Sequence, residues 1–235
     1  MKTNDNLRKH KDSKHLISMI SVESIIRMGY EMNLDEKTKV LDLCCGYGTL
    51  LKIWNDTFGV EGVGVDICHD FIQEGKTILK DENNDKILLC EDDVLNYSDE
   101  DKYDVVICSE TFDSIEKTLS IGQKFLKSNG QLVYCKTYSK VENPPKELLD
   151  FEGPLLTLSE LNQTFNKLGY YLTHLATDSN DDWERYITYE GRKNLKNIRE
   201  DSNKENLDWA KKWYKMYFEF RRPYEGQGLF GLVKL

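Results

Sequence analysis

Three acidic groups and a pair of glycines are spaced so that they could hold a nucleotide-containing cofactor. Val40-Leu41-Asp42-Leu43-Cys44-Cys45-Gly46-Tyr47-Gly48-Thr49-Leu50 reads as an apolar strand carrying Asp42, a turn containing Gly46 and Gly48, and the start of a helix. A glycine turn at the carboxyl end of a strand lets backbone approach a ligand without side chains intervening. Asp66, with Ile67 beside it, closes the next apolar run, Gly62-Val63-Gly64-Val65. There a carboxylate can accept from both hydroxyls of a ribose, at roughly 1.5 to 3 kcal/mol per charge-assisted bond. Glu91-Asp92-Asp93 ends the run Lys86 to Cys90 and leads into Val94. An acid there can accept from an adenine amino group while the next backbone N–H meets a ring nitrogen.

Two cofactor classes compete for this loop. A dinucleotide loop needs a third glycine for close packing beneath a pyrophosphate, and the chain has Leu51 in that place. Asp42 would also set negative charge close to phosphates. S-adenosylmethionine, with an ammonium group and no phosphate, fits the loop better, and Asp66 supplies its ribose partner. On these residues the chain resembles the class I S-adenosylmethionine-dependent methyltransferases of small-molecule type, whose first motif reads roughly Asp-x-Gly-x-Gly-x-Gly. The resemblance spans about residues 35 to 176. Asp42, Gly46 and Gly48 match the loop, Asp66 the ribose acid and Asp93-Val94 the adenine pair, while Cys44 stands where the family usually has its first glycine. The resemblance implies S-adenosylmethionine as cofactor, held by Asp42, Cys44, Gly46, Gly48, Asp66, Ile67, Asp92, Asp93, Val94 and Ser109.

Methyl transfer from a sulfonium is an in-line displacement, so the protein chiefly aligns a nucleophile and excludes water. The acceptor is expected above the fourth and fifth strands, near Ser109, Glu110, Thr111, Phe112, Asp113, Lys136, Thr137 and Tyr138. Glu110 is the nearest candidate general base, and Tyr186 is a second catalytic candidate. Trp183 and Tyr186, at i and i+3 on one helix face with Arg185 and Tyr189 flanking, are candidate walls of an aromatic lid. Arg221 and Tyr224, just before the last strand, are candidates to reach an anionic substrate group. The plainer alternatives are a helix-capping Glu110, a packing face for the aromatics and solvated arginines. Asn143-Pro144-Pro145-Lys146 imitates an amino-methylating signature, but it follows the fifth strand rather than the fourth and lacks the aromatic residue.

These residues need an α/β scaffold. Strands are predicted at 39 to 43, 61 to 66, 86 to 91, 103 to 108, 130 to 136, 170 to 176 and 228 to 234, with helix-compatible stretches between most of them. The alternation predicts a doubly wound, mostly parallel seven-stranded Rossmann-like sheet with its last strand antiparallel. Four segments follow: an N-terminal helical segment over 1–34, the cofactor-binding core over 35–176, a helical insertion or lid over 177–226 and a final core strand over 227–235. Lys127-Ser128-Asn129-Gly130 reads as a helix end with left-handed backbone, and Thr157-Leu158-Ser159-Glu160 as a capping box. Asp181 to Glu184 and Ser202 to Glu205 read as the caps of two added helices.

Composition narrows the function classes. A chain of 235 residues buries one sizeable core, and a net charge of −9 is unfavourable for nucleic acid, whose sites are usually basic. No segment is long and apolar enough to span a membrane, and the charged start lacks a leader, so a cytoplasmic protein is expected. Six cysteines without Cys-x-x-Cys spacing read as buried thiols, with a thiol site for a soft metal or metalloid as the sharper alternative; no metal is assigned. The reading is an enzyme that methylates a small-molecule acceptor, in an oligomeric state left open. The alternatives are a non-catalytic S-adenosylmethionine-binding module acting through partners, or a methyltransferase acting on RNA or protein.

Overall fold

The computed structural model describes residues 16–109, 112, 114–201 and 204–235. In chain order its elements are α1 (Val22–Glu31), β1 (Lys39–Leu43), α2 (Thr49–Phe58), β2 (Glu61–Asp66), α3 (His69–Asp81), β3 (Ile87–Glu91), β4 (Tyr103–Ser109), α4 (Ile115–Phe125) and β5 (Leu126–Ser139). There follow α5 (Lys146–Glu152), α6 (Leu158–Lys167), β6 (Tyr170–Thr177), α7 (Asn180–Asp201), α8 (Lys204–Met216), a π-helical turn (Tyr217–Arg221), the short α9 (Arg222–Tyr224) and β7 (Glu225–Lys234).

The seven strands form one sheet in the order β3-β2-β1-β4-β5-β7-β6. Strands β1 to β5 pair in parallel, and β7 runs antiparallel to both β5 and β6. Strands covered on both faces are apolar without interruption, because successive side chains point to opposite sides and both sides are buried. On β4, Val105 and Ile107 enter one core cluster while Val106 and Cys108 enter the other. The strand order reverses between β1 and β4, and in such sheets the crevice at the carboxyl ends beside that reversal is where a ligand binds.

Local chemistry fixes several boundaries. Gly48 and Gly59, at φ 72° and 81°, bracket α2 with left-handed backbone. Thr157 and Glu160 form the reciprocal capping box of α6. The start of α7 is set two residues before the expected Asp181: Ser179 Oγ donates to Asp182 Oδ2 at 2.7 Å and accepts from the Asp182 amide at 3.2 Å. The expected second cap, at Ser202 and Asn203, lies outside the described residues.

Two segments differ from the sequence-based expectation. Residues 127–130 were expected to end a helix in left-handed backbone, yet α4 ends at Phe125 and β5 begins at Leu126, with no positive φ at Asn129 or Gly130. The register jumps from Tyr103↔Leu126 to Val105↔Gln131, so the extra residues bulge out of the ladder. Lys127, within that bulge, is held by Asp104 at 2.8 Å. The other difference is at the N-terminus, where a helical segment was expected over 1–34; among the described residues 16–20 are non-helical, and α1 starts at Val22 behind the Ser21 cap. Met19 leaves this segment to pack with Trp183, Ile187 and Tyr217 in a third cluster. No helix among the described residues is long and apolar enough to cross a membrane.

Candidate active site

The loop after β1 is shaped by three left-handed residues in close succession, Cys44 at φ 66°, Gly46 at φ 55° and Gly48 at φ 72°. Only glycine takes this backbone without a Cβ penalty, so Cys44 carries strain of about 1–2 kcal/mol. The loop is tied to β2 at both its backbone and its acid. Val65 O accepts from the Cys44 and Cys45 amides at 2.8 and 3.1 Å. Asp66 Oδ2 accepts from the Gly46 amide at 2.8 Å, and Oδ1 accepts from the Cys68 amide at 2.9 Å. The carboxylate at the end of β2 therefore sets the curvature of the glycine loop. The Asp66 carbonyl in turn accepts from the Asp92 amide at 3.1 Å, which draws the end of β3 to the same edge.

A cavity of about 470 Å³ opens at this edge. One wall is the loop and its acids: Asp42, Cys44, Cys45, Gly46 and Asp66, with Phe71 of α3. Ile107 and Ser109 of β4 form the floor, with Cys135, Lys136 and Thr137 of β5 beyond them. Glu152, at the end of α5, and Gln227 and Leu229 of β7 complete the far side. Leu16, Ile17 and Ser18 also line it, and two side chains hold them in place. Gln227 Oε1 accepts from Ser18 Oγ at 3.1 Å and from the Met19 amide at 2.8 Å, and Arg185 Nη2 donates to the Ser18 carbonyl at 2.7 Å.

Electrostatically the cavity is acidic. Among the described residues its lining carries three carboxyls, Asp42, Asp66 and Glu152, against one ammonium, Lys136. Burial, and then the neighbouring Asp66 charge, push the Asp42 carboxyl up to about 8. Burial also raises Glu152, and Glu225 adds to it, while Arg221 and Lys136 oppose. The Lys136 ammonium is lowered by burial, with Glu152 acting the other way. Such a lining favours a ligand that carries positive charge. The thiols of Cys45, Cys108 and Cys135 are all raised, first by burial and then by the Asp42 charge, so they stay protonated at neutral pH.

The residues singled out from sequence divide into groups. Asp42, Cys44, Gly46, Asp66 and Ser109 line the cavity. Gly48 does not; a Cβ there would meet Leu89 Cδ2 at 2.7 Å, so its glycine serves helix-on-sheet packing. Ile67 is 71% exposed beyond the end of β2. Asp93 accepts from the Leu95 amide at 2.9 Å and opens a turn that buries Val94, while Asp92 stays exposed. Glu110 lies outside the described residues.

The insertion is placed differently from a lid whose aromatics face the ligand. Trp183 is fully buried against Met19, Ile187 and Tyr217, with Tyr186 packed on the same cluster, and neither lines the cavity. Large aromatic rings gain most by entering a core, and this helix must bury its apolar face somewhere. Tyr189 and Tyr224 are half-buried away from the cavity. Arg221, expected to reach an anionic substrate group, is buried, bonded to both Glu225 oxygens at 2.9 and 3.0 Å and paired with Glu152 at 3.1 Å. Its guanidinium also lies over Trp183 and Trp213 at 4.8 and 5.1 Å. Sequence reasoning missed Ser18, Glu152 and Gln227, which belong to no motif and meet only through the packing of β7 between β5 and β6.

A family model for a methyltransferase domain matches residues 34–219. A methyltransferase of Thiobacillus denitrificans dependent on S-adenosylmethionine, crystallised with S-adenosyl-L-homocysteine, has the same fold with a TM-score of 0.88 at 20% identity, over 99% of this chain and 98% of that one. A Geobacter sulfurreducens counterpart, also in complex with S-adenosyl-L-homocysteine, gives a TM-score of 0.85 at 23% identity, over 97% and 98% of the two chains. In sequence, the uncharacterised protein YjhP of Escherichia coli K12 is 24% identical over 188 residues, 74% of this chain and 75% of YjhP. The X-ray structure of YjhP gives a TM-score of 0.88 at 20% identity, over 96% and 97% of the two chains.

Proposed function

The chain belongs to the methyltransferase-domain family, and from that premise we propose that it binds S-adenosylmethionine at the β1–β2 edge and transfers the methyl group to a small molecule. The bound cofactor would supply the methyl on a sulfonium centre. Asp42 and Asp66 suit its net positive charge, and the left-handed loop through Gly46 offers backbone to its methionyl end. Ile67, Asp92, Asp93 and Val94 continue the same edge and would take the adenosyl end, with Ser109 on the floor between donor and acceptor. The observation that carries the reading is a bounded acidic cavity of about 470 Å³, covered on one side by Leu16 to Ser18. A long polyanion meets repulsion there, and a volume of this order suits small ligands. We assign 35–176 and 227–235 to the catalytic core and 177–226 to an appendage that braces the covering segment through Arg185.

The chain's own groups act by positioning and by excluding water. Gln227 and Arg185 hold the covering segment, and a ligand seated beneath it would displace water, which strengthens the charge interactions inside. The test is a thermal-shift and calorimetric comparison of S-adenosylmethionine, S-adenosylhomocysteine and NAD on the wild-type protein and on Asp66→Asn. Both sulfur compounds are expected to stabilise the protein, by about 2.7 kcal/mol at a hundredfold excess over Kd. Asp66→Asn should weaken them at least tenfold. Stabilisation by NAD alone would overturn the assignment.

A further inference from the structure

We propose that the β3 edge of the sheet is a homodimer interface, in which β3 pairs antiparallel with β3 of a second copy of this chain about a two-fold axis at Leu89. The inference does not depend on which ligand the cavity holds.

Among the described residues β3 borders β2 and lies at the end of the sheet, so its outer side presents backbone groups without a ladder. The Gly62 amide donates to the Lys86 carbonyl at 3.0 Å, and the Asp92 amide donates to the Asp66 carbonyl at 3.1 Å. The even-numbered residues of this run therefore spend their backbone groups on β2. Alternation turns the amides and carbonyls of Ile87, Leu89 and Glu91 outward.

Exposed sheet edges are normally blunted by a bulge, a proline or a charge. The opposite edge follows that rule: the register of β6 with β7 shifts between Leu172 and His174, and Arg27 of α1 donates to the Leu175 carbonyl at 3.4 Å. β3 does not follow it. Its register with β2 is unbroken from Gly62↔Ile87 to Asp66↔Glu91, and Ile87-Leu88-Leu89-Cys90 contains neither proline nor charge. One face of the strand is covered, since Ile87 and Leu89 are buried with Ile72 and Leu79 of α3. On the other face the connection to β4, residues 92–102, forms turns instead of a helix. Leu88 is thereby 59% exposed, beside a cavity of about 510 Å³ that it lines with Val63 and Tyr103.

The occupant follows from the strand's own complementarity. A register centred on Leu89 engages all three outward residues, with Ile87 opposite the second copy's Glu91. It sets Leu88 against the second copy's Cys90 and Lys86 against its Asp92, each twice by symmetry. An apolar stripe is then closed at both ends by a lysine–aspartate pair. Lys86 Nζ donates to the Gly59 carbonyl at 3.0 Å, and an ammonium with three donors can keep that bond and add another. The remaining charges do not oppose this pairing. Glu91 is taken by His69 at 2.7 Å, and Asp93 Oδ1 accepts from the Leu95 amide at 2.9 Å. Asp85 would face the second copy's Asp93, so the ladder ends at Lys86.

The test is sedimentation velocity of the full chain from about 1 to 100 µM, a range in which a modest interface becomes populated. A concentration-dependent species of twice the chain mass is expected. Leu88→Lys should raise its dissociation constant roughly tenfold or more, while the thermal midpoint of the dilute protein stays the same because Leu88 is already exposed. Register is read by oxidation of Leu88→Cys. The new thiol faces the second copy's Cys90 in a non-hydrogen-bonded pair, with Cα atoms about 4.5 Å apart and within disulfide reach. A covalent dimer is expected, and adding Cys90→Ser should abolish it. A chain that stays monomeric at the highest concentration overturns the proposal, as does a dimer indifferent to Leu88→Lys. A cross-link that survives Cys90→Ser overturns the pairing about Leu89.

Discussion

Replacement of Asp42 by asparagine isolates the charge built into the cavity wall beside the glycine loop. Asparagine has nearly the same shape but stays neutral, so cavity volume is kept and only titration is lost. In the folded protein the Asp42 carboxyl is pushed from 3.8 up to about 8, by burial first and Asp66 second. Between those values the unfolded chain has released this proton while the folded chain still holds it. The native state then binds more protons, so this group makes stability fall as pH rises from about 4 to about 8, with the loss complete above the folded value. The slope is at most about 1.4 kcal/mol per pH unit, or roughly 2 to 3 kcal/mol between pH 5 and pH 7. That is a sizeable part of the roughly 5–15 kcal/mol that holds a domain folded. Urea denaturation of both proteins across this range should show the asparagine variant gaining on wild type by that amount, since every other titrating group is common to both. A cationic ligand beside Asp42 lowers its pKa again, so calorimetry in buffers of different ionisation heat should detect up to about one proton released on S-adenosylmethionine binding at pH 7. Asp42→Asn should release none from this group. Parallel stability profiles from pH 5 to pH 7 would refute the reasoning, because they would mean that Asp42 titrates alike in both states.

Two further substitutions test strain and ion pairing. Cys44→Gly removes a Cβ from backbone at φ 66°, relieving about 1–2 kcal/mol, and returns roughly 0.5–1 kcal/mol of unfolded-state entropy. A net stabilisation of about 0.5–1 kcal/mol in the urea midpoint is expected, and a loss would show that contacts of the Cys44 side chain outweigh the strain. Arg221→Met leaves the fully buried Glu225 without its cation and should cost about 3–5 kcal/mol at pH 7. Adding Glu225→Gln should recover most of that loss in a double-mutant cycle; a single-variant loss below about 1 kcal/mol would mean that the pair is not a structural anchor.

The fold was legible because its information is local. Each parallel strand is a short apolar run bounded by turn residues, and each run marks a strand of the sheet. Boundaries failed where tertiary packing overrode local preference. Asn129 and Gly130, good residues for a left-handed turn, were absorbed into a bulge on β5 by pairing with β4. The loop wall of the cavity was legible for the same reason as the strands: Asp42 to Gly46 is contiguous and Asp66 lies one βα unit on. The far wall was not, since Ser18, Glu152 and Gln227 are separated by up to 209 residues and no spacing rule links them. Trp183 carried the opposite lesson. An aromatic at helical spacing suits a lid or a core equally well in sequence, and only the position of Met19 and Tyr217 assigns it to the core.

The two residues that most clearly violate local rules lie two positions apart, at the mouth of one cavity. Asp42 is a carboxyl buried next to another carboxyl, and Cys44 is a side chain on left-handed backbone; each alone destabilises the free protein. Departures from local consistency concentrate where function is served, because a site shaped in advance for a ligand cannot also be optimal without it. The direction of the mismatch is the one a cationic ligand would relieve. A loop prepared for phosphates would present amides and a helix N-terminus with no acid between them. This loop spends its Gly46 amide on Asp66 and retains Asp42 beside it, so what it lacks when empty is positive charge.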